Sequence, residues 1–295
     1  MCHRLCLCVI AFNEVKSTFR IGVLGLLLCA QAAWCYEGET HQRMTFVAAR
    51  QFNLCAPEAG LPVLTPLQVR YIARSSVKEA GSRVVRSFRW GFYEREAEKS
   101  KHLFWLVQTR LHARLERLTT NALEAGDLLE YYSVIGQLMT HLQDMSVPVY
   151  VVPIYFSRFW RLSMRDRLSI YPIDSEALTE RLESIACDAL LDDVGAPSEL
   201  VSSLADETIN AIQETIPGQA PATWEAFWRF GREGRFGRYG PARNRFGERT
   251  DFQCGEQTCV FLADDPLYRD FASDRHLDAL RSSLRLMQWA QQQQP

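Results

Sequence analysis

A chain of 295 residues with 47% hydrophobic and 11% aromatic content holds enough apolar material for a sizeable core, in one large domain or two small ones. Its formal net charge of −2 and pI near 6.3 exclude a general nucleic-acid coat and give no expectation of a double-stranded nucleic acid partner. Any anion-binding surface has to be local.

Lys16 and Arg20 precede "IGVLGLLLCAQAAW", an apolar run followed by small residues, which predicts a signal peptide over 1–32 with cleavage after Ala30-Gln31-Ala32. Export to the periplasm or the medium follows. The run is shorter than the about 20 residues of a membrane span, and an uncleaved anchor is the alternative. Beyond the leader stand Cys35, Cys55, Cys187, Cys254 and Cys259, an odd set that allows two disulfides and one free thiol in an oxidising compartment. Cys254 and Cys259 are the nearest pair, since "CGEQTC" can turn through its glycine, and Cys35 with Cys55 comes next. No CxxC pair offers a thiolate zinc site.

Helical periodicity dominates the rest. Thr40 is a cap for a helix over "HQRMTFVAARQF". "LTPLQVRYIARSSVKEAG" reads as cap, proline in the first turn, amphipathic body and glycine stop. Ser100 opens a long helix through Leu103, Leu106, Val107, Leu111, Leu115 and Leu118, and Asp127 opens another that runs to about Met145. "VYVVPIYF" is rich in β-formers, but its prolines favour an edge or an extended crossover. Helices follow near 175–193, 198–215 and 275–291, with Cys187 on an apolar face of the first, read as a core residue. The expectation is an all-α, multi-helix bundle, a single domain over 33–295 interrupted by an irregular Arg, Gly and aromatic insertion at 217–262.

Around the helix from Asp127, Leu128, Tyr132, Ile135, Met139 and Leu142 form a core stripe, and Glu130, Ser133, Gln137, His141 and Asp144 face the other way. Two readings stand: a solvated face, or the wall of a cleft lined with ligands. The text that follows, "THLQDMSVPVY", resembles the zinc-dependent phospholipases C and the related fungal-type single-strand nucleases, with Asp144 and Pro148 at the aspartate and proline of their His-x-x-x-Asp…Pro-x-His frame. "AAWCYEGETHQRMT" is similar to that family's opening, matching Trp34 and His41 to its N-terminal ligands, and "WGFYER" to its His-Phe-x-Asp segment. The resemblance implies the family's helical fold, hydrolysis of phosphate esters, and zinc on Trp34, His41 and Asp144 with His141 beside them. Thr140, Tyr150 and Gly91 stand where the family has histidines, so the implied metal centre is reduced, at most one site, with Asp166 as a further candidate ligand. His112 with Glu116 has metal-like spacing but lies too early in the chain for the family's last ligand pair; His102, His112 and His276 read as structural.

"WRFGREGRFGRYGPARNRFGER" interleaves Arg229, Arg232, Arg235, Arg238, Arg243, Arg245 and Arg249 with Phe230, Phe236, Tyr239 and Phe246. Arginine forks suit phosphate, and aromatics suit bases or lipid. A mobile, phosphate-binding loop is one reading and an exposed connection whose arginines pair with nearby acids is the other. The expected partners are a phosphate-containing small molecule or phospholipid, or, in a non-catalytic relative, an anionic ligand or envelope protein.

Overall fold

The computed structural model describes residues 35–82, 91–95, 102–103, 107–154, 166–191, 195–231 and 236–294. The predicted leader and Trp34, Ser100, Arg232 and Arg235 lie outside them. Residues Tyr36–Pro295 form one compact unit. It is mainly α-helical: α1 (Cys35–Cys55), α2 (Pro66–Gly81), α3 (Leu111–Leu123), α4 (Leu128–Asp144), the short α5 (Pro148–Val151), α6 (Ser175–Glu183), the short α7 (Cys187–Leu190), α8 (Pro197–Gln213) and α9 (Pro266–Gln292). Strands pair as antiparallel two-residue ladders, β1 (His102–Leu103) with β2 (Val107–Gln108) and β3 (Trp228–Arg229) with β4 (Arg238–Tyr239), and as a longer hairpin, β5 (Thr250–Cys254) with β6 (Gln257–Phe261).

Local chemistry explains the helix ends. Thr65 accepts from Gln68 N while the Gln68 side chain returns to Thr65 N, a closed capping box with Pro66 in the first turn. Asp127 caps α4 through Glu130 N. Thr40, expected as a cap, instead lies inside α1, which already runs from Cys35. The long helix expected from Ser100 begins only at Leu111, because His102–Leu103 and Val107–Gln108 pair as antiparallel strands. The expected helix over 175–193 breaks after Glu183 into α6 and α7.

Helix α4 is the axis of the bundle. Helix α2 runs parallel to it, with Ile72 against Gly136, Ser76 against Thr140 and Glu79 against His141. Helix α9 runs antiparallel: Ser283 meets Gln143, while Tyr131 donates to Ala290 O and Gln291 donates to the Tyr132 hydroxyl. From Tyr131 to Asp144 only Ser133 and Gln137 are not buried. The solvated face expected for Glu130, Ser133, Gln137, His141 and Asp144 therefore holds only at its N-terminal end, and Leu128, placed on the core stripe, is 45% exposed in the first turn.

The 217–262 segment extends the same core with a layer of aromatic rings. Trp224 meets Phe271 at 4.3 Å and Phe246 meets Tyr268 at 4.7 Å, ring to ring. The segment carries the β3–β4 and β5–β6 pairings within otherwise irregular chain, and Phe246 is 1% exposed, so that ring is not free to stack on a base or enter lipid.

Cys254–Cys259 closes the β5–β6 hairpin as expected. The other disulfide joins Cys55 to Cys187, not to Cys35. Cys35 and Cys55 are the two ends of α1, and 20 residues of helix hold them about 30 Å apart, far beyond the reach of a disulfide. Cys187, read as an apolar core residue, opens α7 and ties it to the end of α1.

Gly136 allows the α2–α4 approach. A Cβ there would stand 2.3 Å from Ile72 O and 2.8 Å from Ser75 Cβ, and the helix backbone cannot yield to it. Gly136→Ala is expected to cost about 1–3 kcal/mol, read in urea denaturation as a lower midpoint at unchanged slope.

Candidate functional site

The C-terminal half of α4 carries a buried polar seam. On one side it meets α1: His41 Nε2 is 3.3 Å from Asp144 Oδ1 and His41 Nδ1 is 2.8 Å from Gln143 Oε1. All three residues are less than 7% exposed. The proton positions follow from the hydroxyls around Gln143. Thr45 Oγ donates to His41 O and Ser283 Oγ donates to Ala279 O, so both can only accept from Gln143 Nε2. That leaves Gln143 Oε1 facing the ring, and His41 Nδ1 carries the proton it donates. The other ring nitrogen points at a carboxylate, either as a second N–H in an ion pair or as a lone pair beside it.

On the other side α4 meets α2 and α3. His141 Nε2 is 3.1 Å from Glu79 Oε1, and Arg114 from α3 stands 3.4 Å from Glu79 and 3.0 Å from Gln137 Oε1. Thr140, at the position where the resemblance implied a histidine, donates to Ser76 O at 3.0 Å. The structure thus separates two residues that the sequence had grouped: Asp144 faces His41, and His141 faces Glu79. Sequence reasoning missed Gln143 and Glu79. Glu79 was detectable, since it continues the buried stripe of Ile72, Ala73, Ser76 and Ala80, where an acid requires a partner.

The remaining candidates divide. Asp166 is fully buried and accepts from Trp228 Nε1 at 2.9 Å, Tyr239 OH at 3.1 Å and Leu168 N at 3.0 Å, so it organises the aromatic layer. His112 Nε2 bonds Glu94 O at 2.8 Å. Arg245 pairs with Glu248, which also takes Arg167. Arg229 and Arg238 are exposed and stand directly opposite each other across β3–β4. That hairpin is tied to the exit of α4, because Gly237 N donates to Pro153 O at 2.7 Å. The same exit gathers the "GFY" segment: Tyr93 N donates to Tyr150 O, and the Phe92 ring lies 6.5 Å from Tyr150 and 6.2 Å from Phe236.

Two ligand atoms on one tetrahedral zinc, each about 2.0–2.2 Å from the ion, stand about 3.3–3.6 Å apart. The His41 Nε2–Asp144 Oδ1 separation fits that spacing, and Gln143 orients the ring from the far nitrogen as outer partners of metal-bound histidines do. Among the described residues no group of three or more His, Cys, Asp or Glu side chains is placed to hold a metal ion. No described helix is long and apolar enough to cross a membrane, and the two disulfides fit an exported protein. The fold and seam define a mainly α-helical, disulfide-tied protein with a buried histidine–carboxylate site at one end of its central helix. Comparison with protein-family models, curated proteins and solved structures finds no match to the chain.

A further histidine is set by burial alone. His276, in the middle of α9, is 6% exposed and lines a cleft of about 390 Å³ between α6 and α9. Desolvation lowers its pKa to about 4 from an ordinary 6.5, so the folded protein holds it neutral. The folded pKa lies below the unfolded one, so its stabilising difference is present above pH 6.5 and is lost as pH falls towards 4. In guanidinium denaturation at a series of pH values, the wild type is expected to lose about 3 kcal/mol from this group across that window, and His276→Leu is expected to flatten the same part of the profile.

Proposed function

We propose that the chain is an exported hydrolase of phosphate esters with a reduced metal centre, in which His41 and Asp144 hold a zinc ion at the end of the α1–α4 seam. The observation that carries this reading is the His41–Asp144 spacing of 3.3 Å, with the far ring nitrogen donating to Gln143. A zinc ion bound there would lower the pKa of a water and draw charge from a phosphate oxygen. The chain's own groups do the rest. Gln143 fixes the tautomer in which Nε2 presents its lone pair on the side of Asp144, and Asp144 supplies negative charge for a cation.

Arg229 and Arg238 supply the phosphate contact. Like charges directly opposite on a ladder repel, and an anion between the two guanidinium forks relieves that repulsion. The tether from Gly237 to Pro153 keeps this hairpin beside the segment that leaves Asp144. Trp34 stands in the reading as a further ligand.

One observation favours a second reading, a non-catalytic relative that binds an anionic ligand or an envelope partner. The Thr140 hydroxyl is used in the α2–α4 contact, so packing has taken over a position where the resemblance implied a metal ligand. In that case His41 and Asp144 are an ion pair. Mass spectrometry of the untagged protein after metal dialysis separates the two. The hydrolase reading expects about one zinc per chain, lost in His41→Ala and in Asp144→Ala, with hydrolysis of bis(p-nitrophenyl) phosphate falling at least about 100-fold in both. A protein that takes up no zinc and hydrolyses no phosphodiester would overturn the hydrolase reading.

A further inference from the structure

Seven of the nine exposed large hydrophobic side chains among the described residues belong to one end of the bundle. Phe46, Leu54, Val63 and Leu67 lie on α1, the α1–α2 connection and the start of α2. They are contiguous: Asn53 bonds both N and O of Leu64, next to Val63, and Phe46 shares a groove with Pro66, Val69 and Arg70. Leu123, Leu128 and Leu129 lie at the turn from α3 to α4. The two groups stand at the same level, since α2 and α4 run parallel with Ile72 beside Gly136, which puts Pro66 and Leu67 level with the first turn of α4. These seven are between 45% and 54% exposed, an unusual gathering for a free surface.

Apart from the exposed Glu58 in the α1–α2 connection, charge is divided across this end. On α2, Arg70, one turn from Leu67, and Arg74, one turn further along towards the level of Ser76, are exposed and make no ion pair with the described residues. At the α3–α4 turn, Glu124, Asp127 and Glu130 are exposed and equally without a cationic partner there. A lipid surface would attract the arginines and repel the three carboxylates if anionic, so a membrane satisfies only half of the patch. A second copy satisfies both halves. Under a two-fold axis the basic side of one protomer faces the acidic side of the other, with the leucines between them.

We propose that this end of the bundle is the interface of a two-fold symmetric dimer of the chain, with Leu67 and Leu129 in its apolar centre and Arg70 and Arg74 facing Glu124 and Glu130 of the second copy.

The test is sedimentation velocity on the exported, purified protein across the micromolar range, with thermal melts to confirm folding. The wild type is expected to sediment as a dimer. Arg70→Glu with Arg74→Glu, and separately Glu124→Lys with Glu130→Lys, are each expected to raise the dissociation constant at least about tenfold, and a one-to-one mixture of the two variants is expected to restore the dimer. All four positions are exposed, so folding should survive, and recovery on mixing is a result that mere misfolding cannot give. A wild type that stays monomeric at every concentration overturns the proposal. So does a pair of charge variants that dimerise like the wild type, or a monomer that co-sediments with vesicles of anionic phospholipid.

Discussion

Burial of α4 from Tyr131 to Asp144, all but Ser133 and Gln137, takes its polar side chains out of bulk water, and partners inside the protein offset that cost. The neighbouring elements are arranged around that demand. Helix α2 comes close enough at Gly136 for Ser76 to meet Thr140 and for Glu79 to meet His141. Helix α3 brings Arg114 to the Glu79 carboxylate, α1 brings His41 and Thr45 to Asp144 and Gln143, and α9 contributes Ser283. Each contact uses a hydrogen-bond direction that its neighbours leave open, and the seam therefore fixes the register of four helices against the fifth.

The two ends of α4 have opposite characters as a result. At its C-terminal end, the seam concentrates imidazoles and carboxylates, and the chain that leaves it is tied to the Arg229–Arg238 hairpin. At its N-terminal end, Leu128 and Leu129 of the first turn are half exposed, as is Leu67 at the same level of α2. Chemistry at one pole and association at the other would let two copies pair without covering either site.

Much of the fold is legible in the sequence where local chemistry decides it. Thr65-Pro66 with Gln68, and Asp127 with Glu130, fix helix starts through backbone hydrogen bonds that no distant residue can override. The Cys254–Cys259 pair is legible for the same reason. The segment from Ser100 is not, because the spacing of Leu103, Leu106 and Val107 suits a helix or a short hairpin equally well. Nor is the burial of His141 and Asp144: periodicity assigns a residue to a side of a helix but does not say how many neighbours cover that side. Of the site itself, the sequence supplied His41 and Asp144 and grouped His141 with them. The partner of His141 is Glu79, 62 residues away, and only the parallel packing of α2 on α4 brings the two together. Phe246 was misjudged in the same way, since the aromatic residues that enclose it come from segments before and after the arginine stretch.

The Cys55–Cys187 bond joins residues 132 positions apart. In a chain delivered to an oxidising compartment N-terminus first, Cys55 arrives long before its partner, and the thiol that arrives with it is Cys35. While the segment between them is uncoiled, those two can meet. Once α1 has formed they cannot, since the rod keeps them at its opposite ends. In a chain so delivered, the rod of α1 would act as a chaperone for its own sulfur, holding Cys55 out of the wrong bond until the segment carrying Cys187 arrives.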